Sequence, residues 1–281
     1  LYHSLMGTLR AGPRSYLEEV GSVKVEALLR YGADPQLGNR QGNQTVSAVG
    51  FALQTGLIST ARVFAAADQD QAQGQEEKRI KTMLLYASSP KLDYFASKNI
   101  QYEPTEMLNM LVNDFGYNVN AAAVVVPSTK KKKKQQKNEE AWLKQIDNGT
   151  TPLMLVSEGA YVESMLLLLK AGADVHMEVD TPNKKGSEEE KSFHGETALH
   201  FAARCSFKKS VDVVLQSKVI DVLVEAGAGV NKMNEEGLTA LHHACYTTAL
   251  GCTQALLKHG ASVNLQTFNH QYSPLHYLCM A

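Results

Sequence analysis

The chain has 281 residues, with 44% apolar and 20% charged side chains: enough apolar material for a sizeable core, and too much for a wholly disordered polymer. Lys and Arg number 28 against 29 Asp and Glu, so a net charge of −1 gives no global pull towards nucleic acid or an anionic membrane. The longest purely apolar runs, Ala121–Val126 and Met165–Leu169, are far shorter than the ~20 residues of a membrane-spanning helix.

No basic, then apolar, then small-residue leader opens the chain, although it begins with Leu rather than Met and reads as an excerpt of a longer one. Cys205, Cys245, Cys252 and Cys279 form no C-x-x-C pair and no dense disulfide framework. An intracellular, cytoplasmic setting is therefore expected.

Taken in chain order, Val23–Leu53 holds an apolar helical stretch that stops at Gly32-Ala-Asp34. Thirteen residues beyond Gly32 stands Thr45-Val-Ser-Ala48, which reads as the opening of another helix. The stretch 65–77 is rich in Gln, Asp and Ala and reads as an insertion. Glu103–Asn120 reads as a helix ending at Gly116-Tyr-Asn118, and the first helix expected before it is left unplaced. Pro127–Glu140 carries no apolar side chain and reads as a solvated loop dividing 1–126 from 141–281. Its Lys130–Lys134 run is a candidate nuclear-import signal, or a contact for nucleic acid or phospholipid whose binding would fall steeply with salt. Trp142 follows, placed to cover the apolar edge of the next unit.

From Asp147 onward the pattern is regular. Thr151-Pro-Leu-Met154, Thr197-Ala-Leu-His200, Thr239-Ala-Leu-His242 and Ser273-Pro-Leu-His276 alternate with Gly172-Ala-Asp174, Gly227-Ala-Gly229 and Gly260-Ala-Ser262. Thr151 to Gly172 and Thr239 to Gly260 both span 21 residues, and Gly227 to Thr239 spans 12, giving a period of 33 or 34. Thr197 to Gly227 is about nine too long, and Gly172 to Thr197 about twelve, so both carry insertions; the polar stretch 177–192 is the natural seat of the second. Each string has a mechanical reason. Thr and Ser cap free backbone N–H groups at a helix start, Pro suits the first helical position, and Gly suits a left-handed stop. Apolar residues on more than one face of Val162–Lys170 mean that this second helix packs on both sides.

This period and these strings resemble the ankyrin repeat, with its T-P-L-H-x-A signature. The resemblance is strong over Asp147–Ala281 and weaker over Val23–Leu53. It implies an all-α fold, an ankyrin-repeat solenoid of stacked helix-turn-helix units with hairpin-like loops. It also implies that the motif His bridges neighbouring repeats. Ser273–Ala281 would be a truncated last repeat, lacking its second helix.

The same residues speak against catalysis. His242-x-x-Cys245 and His276-x-x-Cys279 place possible metal ligands one helical turn apart, but the period already accounts for each His, and each Cys replaces a small core residue. No G-x-S-x-G, P-loop, H-E-x-x-H or G-x-G-x-x-G occurs, so no enzyme, no cofactor and no metal are expected. A stacked array offers a wide preformed surface, which points to a non-catalytic scaffold or adaptor that binds a protein partner. The positions before each motif Thr and at the end of each first helix should meet that partner. These are Asn148, Thr150, Glu158, His194, Glu196, Arg204, Glu236, Leu238, Tyr246, Thr247, His270 and Tyr272, with Arg204, Tyr246 and Tyr272 as the anchors. Two alternatives stand beside this: a regulatory or targeting array of a longer enzyme, channel or ubiquitin-ligase substrate receptor, and the Lys130–Lys134 electrostatic reading.

Overall fold

The computed structural model describes residues 14–35, 38–41, 44–71, 83–88, 104–123, 149–180, 194–204 and 212–281. The chain divides into two compact units, Leu1–Asn118 with Val125–Ile146, and Val119–Val124 with Asp147–Ala281.

In the first unit, α1 (Arg14–Arg30) ends where Gly32 turns left-handed at φ 81°. A short antiparallel pair follows, β1 (Gly38–Gln41) against β2 (Gln44–Ser47), with Asn39 opposite Val46 and Arg40 opposite Thr45. The strands lead straight into α2 (Ala48–Gln54), where the Ser47 side chain accepts from the Gly50 amide at 3.0 Å. The helix therefore opens at Ser47. Thr45, expected in that role, lies in the strand, because the pairing consumes two more residues than the period allows. Helix α3 (Ile58–Gln71) follows, so residues 65–71 of the expected insertion are helical, with Ala65 and Asp68 buried; 72–77 lie outside the described residues. Asp68 accepts a 2.5 Å hydrogen bond from the Tyr117 hydroxyl, which gives the buried carboxylate a partner.

The unplaced helix is α4 (Met83–Ser88), buried at every residue and packed on α2 and α5. Helix α5 (Thr105–Asn109) widens into a π turn over Met110–Asp114 and stops at Gly116, φ 61°. Leu53, Phe64, Met83, Leu84, Leu85, Met107, Leu108 and Leu111 are fully buried in this unit. Burying each such side chain contributes roughly 1.5–3 kcal/mol against the chain's lost entropy.

In the second unit, first helices α6 (Pro152–Glu158), α8 (Ala198–Ala203), α10 (Ala240–Tyr246) and α12 (Pro274–Met280) alternate with second helices α7 (Val162–Lys170), α9 (Val213–Glu225) and α11 (Leu250–Lys258). First helices pack on first helices and second on second, so the pairs stack side by side. Helix α9 has 13 residues where α7 and α11 have nine, which absorbs part of the excess between Thr197 and Gly227. Close stacking has a steric condition: a Cβ on Gly251 would run into the Val213 carbonyl, so only Gly lets α11 meet α9.

The hairpins of this unit share one bonding pattern. The Ala123 amide donates to Thr150 O and the Gly149 amide to Ala123 O; the Val179 amide donates to Glu196 O and the Gly195 amide to Val179 O. Ala123 with Gly149 and Thr150, and Val179 with Gly195 and Glu196, are thus equivalent pairs in successive hairpins. Residues 177–180 belong to the arm itself, with Val179 buried, so the second insertion starts later than expected.

Candidate protein-interaction surface

The motif side chains first. The Thr197 and Thr239 amides donate to Nδ1 of His200 and His242 at 3.1 and 3.0 Å. Accepting there leaves the proton on Nε2, which reaches the next repeat: His200 to Leu238 O at 3.1 Å, His242 to Tyr272 O at 3.2 Å. Each ring therefore ties a helix start to the following hairpin. Burial is the main reason both pKa values fall, His200 to about 4, so the neutral tautomer that makes these bonds persists at neutral pH. Met154 takes the place of His in the first of these repeats, with its sulfur 3.4 Å from the Thr151 amide. Asparagines add a second tie: Asn120 bonds Gly172 O and the Asp174 amide, and Asn231 bonds Gly260 O and the Ser262 amide.

The expected contact positions divide by burial. Tyr246 and His270 are exposed, and Glu158, His194, Glu236, Thr247 and Tyr272 are half-buried. Thr247 is already engaged, donating to Ala203 O at 3.1 Å across the repeat boundary. Asn148 and Lys130–Lys134 lie outside the described residues.

Four positions expected at the surface are instead buried: Thr150, Glu196, Arg204 and Leu238. Leu238 is held inward by its carbonyl's bond to His200 and its amide's bond to Asn234 Oδ1 at 2.8 Å. Glu196 and Arg204 are members of an internal charge cluster. Arg204 Nη1 lies 3.0 Å from Glu196 Oε2, and His243 Nε2 lies 2.9 Å from Glu196 Oε1. The Arg204 guanidinium also covers the Phe201 ring, 4.3 Å from its centroid. Burial pushes the Glu196 pKa up, but the hydrogen bond and charge of His243, with the charges of Arg204 and His200, outweigh it and hold the carboxyl below its ordinary value. Arg204 thus completes a structural pair and is not an anchor left open to a partner.

His243 and Tyr277 were not among the expected positions, yet both matter. The signal was the residue after the motif side chain: Leu155, Phe201, His243 and Tyr277 occupy the same place in successive first helices. Around Tyr277 an aromatic cluster forms with Tyr246, Tyr272 and His242.

No three or more His, Cys, Asp or Glu converge to hold a metal among the described residues, and none of the helices described is long and apolar enough to cross a membrane. Cys245 is buried, and burial raises its pKa, which keeps it a thiol rather than a nucleophilic thiolate.

The ankyrin-repeat family description matches residues 148–180 and 194–235, and its three-copy form matches residues 216–281. The chain contains ankyrin repeats. Such repeats are protein-interaction modules. This chain is similar to human ankyrin repeat and SOCS box protein 16, 30% identical over 128 residues that make 45% of this chain and 23% of that protein. It is similar to the inhibitor of Bruton tyrosine kinase of Xenopus laevis, 34% identical over 85 residues, 30% of this chain and 6% of that one. It is also similar to ankyrin repeat and KH domain-containing protein mask-1 of Caenorhabditis elegans, 33% identical over 127 residues, 45% and 4% of the two. The chain spans less than a quarter of the length of each of these relatives.

Proposed function

We propose that this chain is a non-catalytic, intracellular scaffold or adaptor that binds a protein partner through the hairpin and first-helix surface of its repeats. This reading keeps divergent repeats over 1–126, a Lys-rich loop over 127–140 and regular repeats over 141–281. The observation that carries it is the exposure pattern. Tyr246 and His270 stand open beside half-buried Glu236 and Tyr272, while the helices beneath them are fixed by His200 and His242. A rigid aromatic surface binds without a large ordering cost. Glu158, His194 and Thr247 extend the same surface, and Asn148 is assigned to it by its place in the period alone.

The test is capture of binding proteins by the intact chain. Tyr246→Ala with Tyr272→Ala should lose the captured proteins, while Leu166→Ala on α7 should keep them. Equal capture by the double variant and the native chain would refute the surface assignment.

A second reading is a regulatory or targeting array within a longer protein. The lengths of the relatives favour it, since this chain matches only 4–23% of them. The complete transcript decides between the two.

A further inference from the structure

Three rings stand nearly perpendicular to Tyr277: His242 at 5.5 Å between centroids, Tyr246 at 6.2 Å and Tyr272 at 6.3 Å. This cluster is not sealed, because Tyr246 is 44% exposed and Tyr272 and Tyr277 are half-buried. The negative π faces of such rings attract cations. Glu236 belongs to the same place by geometry: the Phe268 amide donates to Glu236 O and the adjacent Thr267 amide to Tyr272 O, both at 3.0 Å, and after burial the field of Glu236 adds to the rise of the Tyr277 phenol pKa.

The neighbouring hairpins show what such a carboxylate ordinarily holds. Glu178 pairs with Lys232 at 2.7 Å, Glu196 with Arg204 at 3.0 Å, and Glu235 lies 3.9 Å from His194. Among the described residues no cation pairs with Glu236. The α8 repeat also contains a template. There the residue after the motif His is Phe201, a guanidinium from Arg204 covers its ring, and Glu196 holds the charge. In the α12 repeat the ring is kept as Tyr277, but the position matching Arg204 is Met280.

We propose that Tyr246 and Tyr277, with Glu236, receive an arginine side chain of the protein partner, and that Tyr272, already stacked with His270 and His276, closes the side of the site. The inference rests on the interaction reading above and gives its chemistry. Arginine fits better than lysine, since its planar guanidinium can lie on a ring and bond a carboxylate at once.

The test uses the intact chain with isotopically labelled tyrosine rings, assigned by single Tyr→Phe variants and titrated with N-acetylarginine amide. The neutral isostere N-acetylcitrulline amide is the control. Arginine should give saturable shifts at the Tyr246, Tyr272 and Tyr277 ring signals, citrulline should not, and Glu236→Gln should weaken binding about fivefold or more. Glu236 is half-buried and has no pair among the described residues to lose, so this variant should keep the native urea midpoint. Equal shifts with citrulline, no saturation, or no effect of Glu236→Gln would each overturn the proposal. If arginine fails while Tyr246→Ala with Tyr272→Ala still loses the captured proteins, only the cation chemistry falls. If that double variant captures normally, the interaction surface itself falls.

Discussion

At Glu196 burial and charge pull in opposite directions, and the carboxylate is held only while Arg204 and His243 stay in place. The side chains of Glu196, Arg204 and His243 are 1%, 9% and 13% exposed, so removing one leaves the others desolvated and uncompensated. Glu196→Ala should cost about 3 kcal/mol, read as a lowered urea midpoint, because breaking a buried pair strands its partners. A loss below about 1 kcal/mol, typical of a surface pair, would show the cluster to be solvated. His200 makes the same region acid-sensitive. Its folded pKa of about 4 lies below the ordinary 6.5, so between these values the unfolded chain takes up a proton that the fold refuses. Stability is full above 6.5 and falls with pH through that window, by roughly 3 kcal/mol in total. The depressed Glu196 carboxyl adds a further loss below its ordinary value of 4.5. Urea midpoints should therefore drop from neutrality to about pH 4.5, and His200→Gln, though less stable at neutrality, should show a flatter drop. An equal slope in that variant would place the titration elsewhere.

Helices in this chain were legible where the whole repeat string marks them and hard to place where the string is incomplete. Thr151, Thr197, Thr239 and Ser273 begin their helices as their type demands, and Gly172, Gly227 and Gly260 end the following ones in left-handed turns. Two capping residues close together defeated the same logic, since Thr45 and Ser47 both qualify and strand pairing chooses the later one. Ser47→Ala should cost about 1 kcal/mol, and Thr45→Ala distinctly less, in thermal or urea unfolding. The reverse order would restore the opening to Thr45. Helix α4 was hard to place for another reason. Thr82-Met-Leu-Leu-Tyr-Ala87 keeps the Thr, Leu and Ala of the repeat string but lacks its Pro and His, so the match was easy to pass over in an apolar run. Composition misled at 65–71, where Ala and Gln extend α3 and Asp68 is held inside by Tyr117. Among the positions expected to meet a partner, Tyr246 is exposed and Glu236 and Tyr272 are half-buried, as a place on the hairpin and first-helix surface requires. Position in the period misjudged Glu196, Arg204 and Leu238, because a period gives direction and says nothing of the partners that pull a side chain inward.

Stacked repeats are stabilised mainly by their nearest neighbours, and among the described residues those ties run through the hairpin arms. The Glu235 amide donates to His194 O and the Phe268 amide to Glu236 O, which joins each arm to the next at about 3.0 Å. Nothing in that chain of bonds needs the residues between Asp180 and His194, since the arms on either side are closed by Val179 with Gly195 and Glu196. The third hairpin shows how short the connection can be, turning between Asn234 and Gly237 with an amide-to-carbonyl bond of 3.0 Å. Replacing 181–193 with a two-residue turn should therefore preserve the unit, and the shorter loop should raise its stability by up to about 1 kcal/mol through reduced closure entropy. Circular dichroism should be unchanged and the unfolding midpoint equal or higher. A cooperative loss of helix in that variant would mean that the acidic run Glu188-Glu-Glu190 takes part in the fold, and that the array is more than a sum of its stacked arms and helices.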